Sequence, residues 1–131
     1  MSESINILII EDSASQALQF QLLLQRAGYL VHVVADGAAG WRYACARRPH
    51  IILLDVDLPG MDGFQVLARL KRGRASANIP VVMLTHREHI SNVTRAIELG
   101  ADDYLFKDEA LQQVGVAVAQ LLQSYRQGST G

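Results

Sequence analysis

Five polar residues of the sequence come at or just after the ends of short apolar segments, and their side chains can do chemistry together. Glu11 and Asp12 follow the segment INILII, Asp55 follows IILL, and Thr85 follows IPVVML. Lys107 follows the segment DYLF. A carboxylate beside an apolar run is costly to bury unless a cation pairs with it. Carboxylate oxygens are the ligands that Mg²⁺ prefers, so these residues predict a magnesium site.

Asp55 is the predicted nucleophile of this group, because a carboxylate held at a rigid strand end can accept a phosphoryl group as an acyl phosphate. Phosphoryl transfer requires good positioning and positive charge around the moving oxygens. The predicted magnesium ion supplies one cation and Lys107 supplies a second, while Thr85 offers a hydroxyl donor. The residue types therefore predict a carboxylate that accepts a phosphoryl group.

The elements that would position these residues are predicted from apolar runs that alternate with helical patterns. Continuous apolar runs are typical of strands covered on both faces, as in a parallel sheet. Five successive strand–helix units indicate an α/β fold with a doubly wound, five-stranded parallel sheet, whose ligands bind beyond the carboxyl ends of the strands. The predicted strands cover residues 5–10, 30–34, 50–54, 79–84 and 102–106, and the predicted helices cover 13–27, 37–47, 64–73, 87–99 and 108–126.

Length and composition indicate a single domain over residues 1–131, with a core over 5–125 and a short flexible tail at 127–131. The net charge of −1 gives no reason to expect nucleic acid or an acidic membrane as a partner. No apolar run reaches the roughly 18 residues of a membrane helix, and the N-terminus lacks the pattern of a signal peptide. With Cys45 as the one cysteine, these features favour a cytoplasmic protein.

The ordered set of motifs resembles a response-regulator receiver domain, and especially the single-domain, chemotaxis-regulator type. The resemblance implies a flavodoxin-like fold with strand order 2-1-3-4-5 and five helices. It also implies a two-component signalling protein that is no conventional enzyme, since its catalysis is limited to Mg²⁺-dependent phosphorylation and dephosphorylation of itself. The motifs that carry the resemblance are Glu11-Asp12, DVDLPGMDG from Asp55 to Gly63, Thr85, and GADDYLFK from Gly100 to Lys107.

For the site, the resemblance implies that Asp55 receives its phosphoryl group from a histidine kinase or a phosphotransfer protein. It implies Mg²⁺ held by Asp12 and Asp55, by Glu11 directly or through water, and by the backbone carbonyl of Asp57. It further implies a switch in which Thr85 moves toward the new phosphate.

The predicted switch has a second member, Tyr104, which would turn inward into the space that Thr85 vacates. One departure from the family pattern concerns the lysine, because family members usually carry proline after it in a cis peptide bond. Here the pair is Lys107-Asp108, so we expect either a trans bond with a shifted loop or a cis bond. His86 is a second departure, since a small residue is usual at that position.

Two helices carry apolar residues that a buried stripe does not require. A stripe through Phe20, Leu23, Leu24 and Ala27 of the first helix is predicted to face the sheet, which leaves Leu18 and Leu22 outside it. The resemblance implies that kinases or phosphotransfer proteins dock beside this helix, so the two leucines are predicted to form part of that contact. Val116 and Ala119 lie on the predicted outer side of the last helix, which suggests a homodimer or an output partner that the sequence does not identify. The alternative for the last helix is a small-residue helix packed against its neighbours.

Two other functions remain open on the sequence alone. Asp55-Val56-Asp57 reproduces the D-x-D core of haloacid-dehalogenase-like phosphatases, although that reading leaves Glu11 and Asp12 without a role. A receiver-like module that binds partners without being phosphorylated is the second alternative, and the missing proline supports it.

Overall fold

The computed structural model describes residues 4–86 and 91–129, with side chains as far as Tyr125, and these form a parallel sheet between two layers of helices. The strand order is β2-β1-β3-β4-β5, so the predicted doubly wound topology is confirmed. The strands are β1 Asn6–Ile10, β2 Leu30–Val34, β3 Ile51–Asp55, β4 Val81–Thr85 and β5 Asp103–Phe106, and the helices are α1 Ala14–Arg26, α2 Gly37–Arg47, α3 Gly63–Arg72, α4 Ser91–Glu98 and α5 Ala110–Ser129.

Two apolar cores lie on opposite faces of the sheet. Ile52 and Leu54 of β3 face the core built with α2, α3 and α4, whereas Ile51 and Leu53 face the core built with α1 and α5. Successive side chains of a strand point to opposite faces, so a strand with both faces covered must be apolar at nearly every position. This explains why β3 is buried along its whole length, including Asp55 at its end.

The predicted element boundaries differ from the structure mainly at the helices. The predicted fourth helix began at residue 87, but residues 87–90 lie outside the described part of the chain, and α4 is described from Ser91. The last helix continues to Ser129, so the backbone of 127–129 is helical where a tail was predicted. On α1 the buried stripe includes Ala17 instead of the predicted Ala27, which is exposed.

Side-chain caps begin α1, α2 and α3 at the carboxyl end of the sheet, and the cap of α2 is Asp36, whose carboxylate accepts a hydrogen bond from the Ala39 amide. The Ser13 hydroxyl accepts a hydrogen bond from the Gln16 amide and begins α1 directly after the acidic pair. Asp62 forms a reciprocal capping box with Gln65 at the start of α3, with both hydrogen bonds at 2.9 Å. Such caps satisfy amides that the first helical turn leaves without partners. They therefore fix the loops in which site residues lie.

A hydrogen-bonded carboxylate joins three elements near the amino end of the sheet. One oxygen of Asp102 accepts hydrogen bonds from the Lys71 ammonium and the Val81 amide, both at 2.8 Å. The other oxygen accepts a hydrogen bond from the Tyr125 hydroxyl at 2.8 Å. Lys71 also donates to the Ile79 carbonyl at 3.0 Å. Asp102 therefore ties the ends of α3 and α5 to the start of β4.

No helix among the described residues is both long enough and apolar enough to cross a membrane.

We expect Asp102→Ala to lower the free energy of unfolding by about 2–3 kcal/mol, because it leaves the part-buried Lys71 ammonium without its carboxylate partner. Asp103→Ala is the matched control, since the Asp103 carboxylate accepts one local hydrogen bond from the Tyr104 amide, and we expect a loss of about 1 kcal/mol or less. Urea unfolding at neutral pH measures both. Equal losses in the two variants would show that the Asp102 network does not stabilise the fold.

Candidate metal centre and acceptor carboxylate

Three carboxylates meet at the carboxyl end of the sheet. β1 and β3 are neighbours in parallel register, so Glu11 and Asp12 after β1 lie beside Asp55 at the end of β3. One carboxylate oxygen of each residue lies within 4.8 Å of the others. Glu11 and Asp55 are each 1% exposed, whereas Asp12 is exposed to solvent. The arrangement is an oxygen-lined cluster with one side open to water.

Glu11 shows that this cluster fits a divalent cation. Neither of its carboxylate oxygens accepts a hydrogen bond from a described residue, although both are fully buried. Burial, and next the neighbouring Asp55, raise the pKa of Glu11 to about 9. A buried carboxylate without donors is unfavourable when ionised, and a hard cation with oxygen ligands removes that penalty. The carboxylates present therefore suit Mg²⁺.

Lys107 reaches the acceptor carboxylate although no proline follows it. Its ammonium lies 2.9 Å from Asp55 Oδ1 and 3.8 Å from Glu11 Oε1. The described residues contain no cis peptide bond, so the Lys107–Asp108 bond is trans, as in the first of the two expected arrangements. The Lys107 amide donates to the Thr85 carbonyl at 2.8 Å, which continues the β4–β5 pairing as far as the lysine. That pairing positions the Lys107 side chain beside Asp55.

The backbone around Asp55 is hydrogen-bonded to its side chain and closely packed. The Asp57 amide donates a hydrogen bond to Asp55 Oδ1 at 3.0 Å, so this oxygen is held by two donors. Gly63 packs directly behind the strand end, where a Cβ atom would overlap the Asp55 carbonyl oxygen. The contact with Gly63 was not predicted from the sequence. In the sequence, the need for a residue without a Cβ at position 63 is indicated only by a glycine directly after the capping residue Asp62.

Thr85 and Tyr104, the two predicted switch residues, lie on adjacent strands. Thr85 ends β4, is 2% exposed, and its hydroxyl has no hydrogen-bond partner among the described residues. Tyr104 on β5 pairs in register with Met83 and is partly buried. Its ring meets Phe106 edge-on, with 6.0 Å between the ring centroids. The structure therefore places an unbonded hydroxyl beside the acidic cluster and an aromatic ring on the next strand.

His86 follows Thr85 directly after β4 and approaches Asp57. Its Nε2 is 3.7 Å from a side-chain oxygen of Asp57, and both side chains are substantially exposed. The sequence marked His86 as unusually bulky for its position, but the contact with Asp57 follows from the loop geometry and was not predicted.

The residues of the two predicted partner surfaces are exposed. Leu18 and Leu22 on α1 are 51% and 46% exposed, and Val116 on α5 is 61% exposed, with Ala119 also on the surface. Ile97 on α4 is 57% exposed as well, and it was not singled out in the sequence. Exposure is necessary for a contact but does not demonstrate one, so the docking roles stay predictions.

Comparison with known families identifies the class of this fold and site. The model of the response regulator receiver domain matches residues 7–119. The chain therefore belongs to the response regulator receiver domain family, and the predicted family is confirmed. Receiver domains are signalling modules, and phosphorylation of an aspartate is the known mechanism of the family.

Individual relatives agree with this assignment. The DNA-binding dual master transcriptional regulator RpaA of Synechocystis is 39% identical over 116 residues, which cover 88% of this chain and 48% of RpaA. This chain thus spans about half the length of that curated relative. The receiver domain of the sensor histidine kinase PA1611 from Pseudomonas aeruginosa is 25% identical, with a TM-score of 0.84, 92% of this chain and 99% of that chain covered, and a magnesium ion in its active-site cleft.

A CheY-like receiver domain protein from Methanospirillum hungatei gives the same fold, with a TM-score of 0.88. It is 21% identical, and the alignment covers 96% of this chain and 99% of that chain. At that identity the likeness concerns the fold alone.

We expect the metal-free protein to lose stability as pH rises from about 5 to about 8. Folded Glu11 keeps its proton up to a pKa of about 9, whereas the unfolded side chain releases it near 4.5. The stabilisation is complete below the unfolded pKa and is lost as pH rises toward the folded value. The contribution is at most about 1.4 kcal/mol per pH unit.

Urea unfolding in EDTA at several pH values measures this dependence, and Glu11→Gln is the comparison. The glutamine variant should lack the Glu11 part of the slope, and Mg²⁺ should restore stability to the wild type at pH 8. Identical slopes for the two proteins would contradict a raised pKa of the buried Glu11 carboxyl in the folded state.

Proposed function

We propose that this chain is a two-component receiver in which Asp55 accepts a phosphoryl group from the phosphohistidine of a histidine kinase or phosphotransfer protein. The observation that carries the proposal is the position of Asp55, which is buried at the end of β3 with the Lys107 ammonium 2.9 Å from its carboxylate. Glu11 and Asp12 complete the cluster on the other side. Family membership supports the same chemistry.

In the proposed transfer, a carboxylate oxygen of Asp55 attacks phosphorus and a P–O bond forms. The P–N bond of the donor breaks, and its electron pair returns to the imidazole nitrogen. The Lys107 ammonium stays close to the reacting oxygens and offsets their negative charge. Attack of water on the same phosphorus later releases inorganic phosphate and regenerates the Asp55 carboxylate. The protein thus acts on itself and has no separate substrate to turn over.

We propose that Mg²⁺ binds to Asp12 and Asp55, to Glu11 directly or through water, and to the backbone carbonyl of Asp57. The buried oxygens of Glu11, which accept no hydrogen bond from a described residue, support this assignment. A bound magnesium ion would neutralise negative charge on the phosphoryl oxygens. The open side beside Asp12, which is exposed, leaves room for the waters that Mg²⁺ usually keeps.

The proposed response to phosphorylation is a movement of Thr85 and Tyr104. The Thr85 hydroxyl has no hydrogen-bond partner among the described residues, and a new phosphoryl group supplies strong acceptors within the same cluster. If Thr85 turns toward the phosphate, the space that it leaves lies beside the partly buried Tyr104. An added charge that biases two packing arrangements is a recognised form of switch.

The phosphatase alternative is disfavoured by the family assignment and by the structure. Glu11 and Asp12, which that alternative leaves without a role, lie within the acidic cluster beside Asp55. The alternative of a receiver that is never phosphorylated rested on the missing proline, and the 2.9 Å contact from Lys107 to Asp55 weakens that argument. The lone Cys45 is consistent with a reducing compartment, and we propose a cytoplasmic location.

The first test is the intact mass of the protein after incubation with acetyl phosphate and Mg²⁺. We expect one phosphoryl-sized increase that requires Mg²⁺ and is absent from Asp55→Asn. The reason is that acetyl phosphate supplies the same phosphoryl group without any partner protein. A separate receiver known to accept acetyl phosphate serves as the positive control in the same tube.

An unmodified mass alongside a labelled control would refute phosphorylation of Asp55 and leave the non-phosphorylated module. If the protein hydrolysed acetyl phosphate repeatedly without a stable label, a second assay would offer it a generic phosphate ester. Hydrolysis of that ester would restore the phosphatase alternative.

We further propose that Leu18 and Leu22 form the docking contact for the phosphodonor protein. They lie one helical turn apart on α1 and are both exposed, and α1 begins directly after the acidic pair. For the exposed Val116 and Ala119 of α5 we propose contact with an output partner or a second copy of the chain.

We expect the double variant Leu18→Ser with Leu22→Ser to slow phosphoryl transfer from a phosphorylated histidine phosphotransfer domain by at least about tenfold, because the apolar contact is lost. Labelling by acetyl phosphate should stay unchanged, since it needs no docking surface. Val116→Ser is the matched control and should transfer at the wild-type rate. Equal transfer by all three proteins would exclude α1 as the docking helix.

A further inference from the structure

An open pocket lies at the amino end of the sheet, opposite the end that carries Asp55. It has a volume of about 410 Å³, and its apolar side comes from residues next to the starts of β1 and β4 and from α5. Ile5 and Ile79 are buried there, and Leu122 of α5 is partly buried. This size falls within the range of about 300–1,000 Å³ that is usual for small-molecule sites.

The polar side of the pocket is lined by side chains that carry N–H groups, and three of them, Arg48, Arg74 and Asn78, are exposed to solvent. Arg48, His50, Arg74 and Asn78 line it, and no acidic residue is among the described residues that do so. The His50 Nδ1 accepts a hydrogen bond from the Asn6 amide at 3.0 Å, which leaves the ring's hydrogen on Nε2 in the neutral form. Two guanidinium groups beside an imidazole donor and an amide favour a negatively charged group.

Arg48 has a backbone conformation that is unusual for an arginine. Its φ is 46° and its ψ is 67°, and it is the one residue other than glycine with a positive φ in the described part of the chain. The residue ends α2 by donating its amide hydrogen to the Ala44 carbonyl. Glycine is favoured in this left-handed conformation because it has no Cβ. Glycine at position 48 would relieve this backbone strain. The presence of arginine there therefore points to a role for the Arg48 side chain.

We propose that this pocket binds a small organic anion, a carboxylate or phosphate monoester carried on an apolar body. Arg48 and Arg74 hold the charged group, and the body packs against Ile79 and Leu122. Since Asp55 lies at the other end of the sheet, the pocket and the acceptor carboxylate can be occupied together. The inference does not depend on phosphorylation of Asp55.

The test is a titration of the full chain with phenyl phosphate or benzoate, followed by backbone amide shifts in two-dimensional NMR without Mg²⁺. We expect saturable shifts for residues around Arg48, Arg74 and Asn78, with none around Asp55. Inorganic phosphate carries only the charged group, and benzyl alcohol carries only the apolar ring. Each should bind at least about tenfold more weakly than phenyl phosphate.

Arg48→Gly separates a binding role from a folding role. The variant removes the guanidinium group but relieves the left-handed backbone, so we expect affinity for phenyl phosphate and benzoate to fall at least about tenfold at an unchanged or higher Tm. Arg74→Gln should weaken binding in the same way. Arg42→Gln is the matched control, because Arg42 is exposed on α2 outside the pocket, and it should leave binding within about twofold.

Three results would overturn the proposal. The first is no saturable binding of either phenyl phosphate or benzoate. The second is evidence of a general attraction of anions. Such evidence would be equal binding of inorganic phosphate and phenyl phosphate, or a loss of affinity in Arg42→Gln as large as that in Arg48→Gly. The third is unchanged affinity in Arg48→Gly, which would show that the guanidinium group takes no part.

Discussion

The repulsion between buried carboxylates at the carboxyl end of the sheet is the constraint on which the rest of the site depends. Glu11 and Asp55 are both almost completely buried, and burial together with the neighbouring Asp55 carboxylate raises the pKa of Glu11 to about 9. Lys107 supplies part of that charge at 2.9 Å from Asp55. The remaining negative charge is what makes the cluster of Glu11, Asp12 and Asp55 suitable for a divalent cation. If both Glu11 oxygens accepted hydrogen bonds from the protein, the site would be less suited to a divalent cation.

Parallel topology brings these distant residues together and also holds them still. Asp55 and Lys107 are separated by 52 positions in sequence, yet each continues a strand whose register is fixed by apolar side chains on both faces. Gly63 lets the chain turn back directly behind Asp55, and the Asp62 cap begins α3 at that point. The opposite end is fastened separately by the Asp102 network. The two ends of the sheet can therefore serve different purposes.

Much of this could be predicted from the sequence, because the strands are short apolar runs and the site residues come at their ends. Topology then required Glu11, Asp55 and Lys107 to be neighbours, whatever loops join them. What the sequence did not predict depends on distances between side chains. The contact of His86 with Asp57, the close approach of Gly63, and the pairing of Lys71 with Asp102 leave no periodic signal. Helix α5 also continued past the predicted end, since a Gly-Ser tail lowers helix propensity without forbidding a helix.

The capping acids and the bases in the last helical turns lie at opposite ends of the sheet, although the net charge is −1. Each helix follows a parallel strand, so its N-terminus lies near the carboxyl end of the sheet and its C-terminus near the amino end. The helix dipole therefore favours acids such as Asp36 and Asp62 at one end and bases such as Arg47 and Arg72 at the other. This accounts for a basic amino end without any ligand. It does not account for the left-handed backbone of Arg48, because Arg47, in the last turn of the same helix, already serves the dipole without strain.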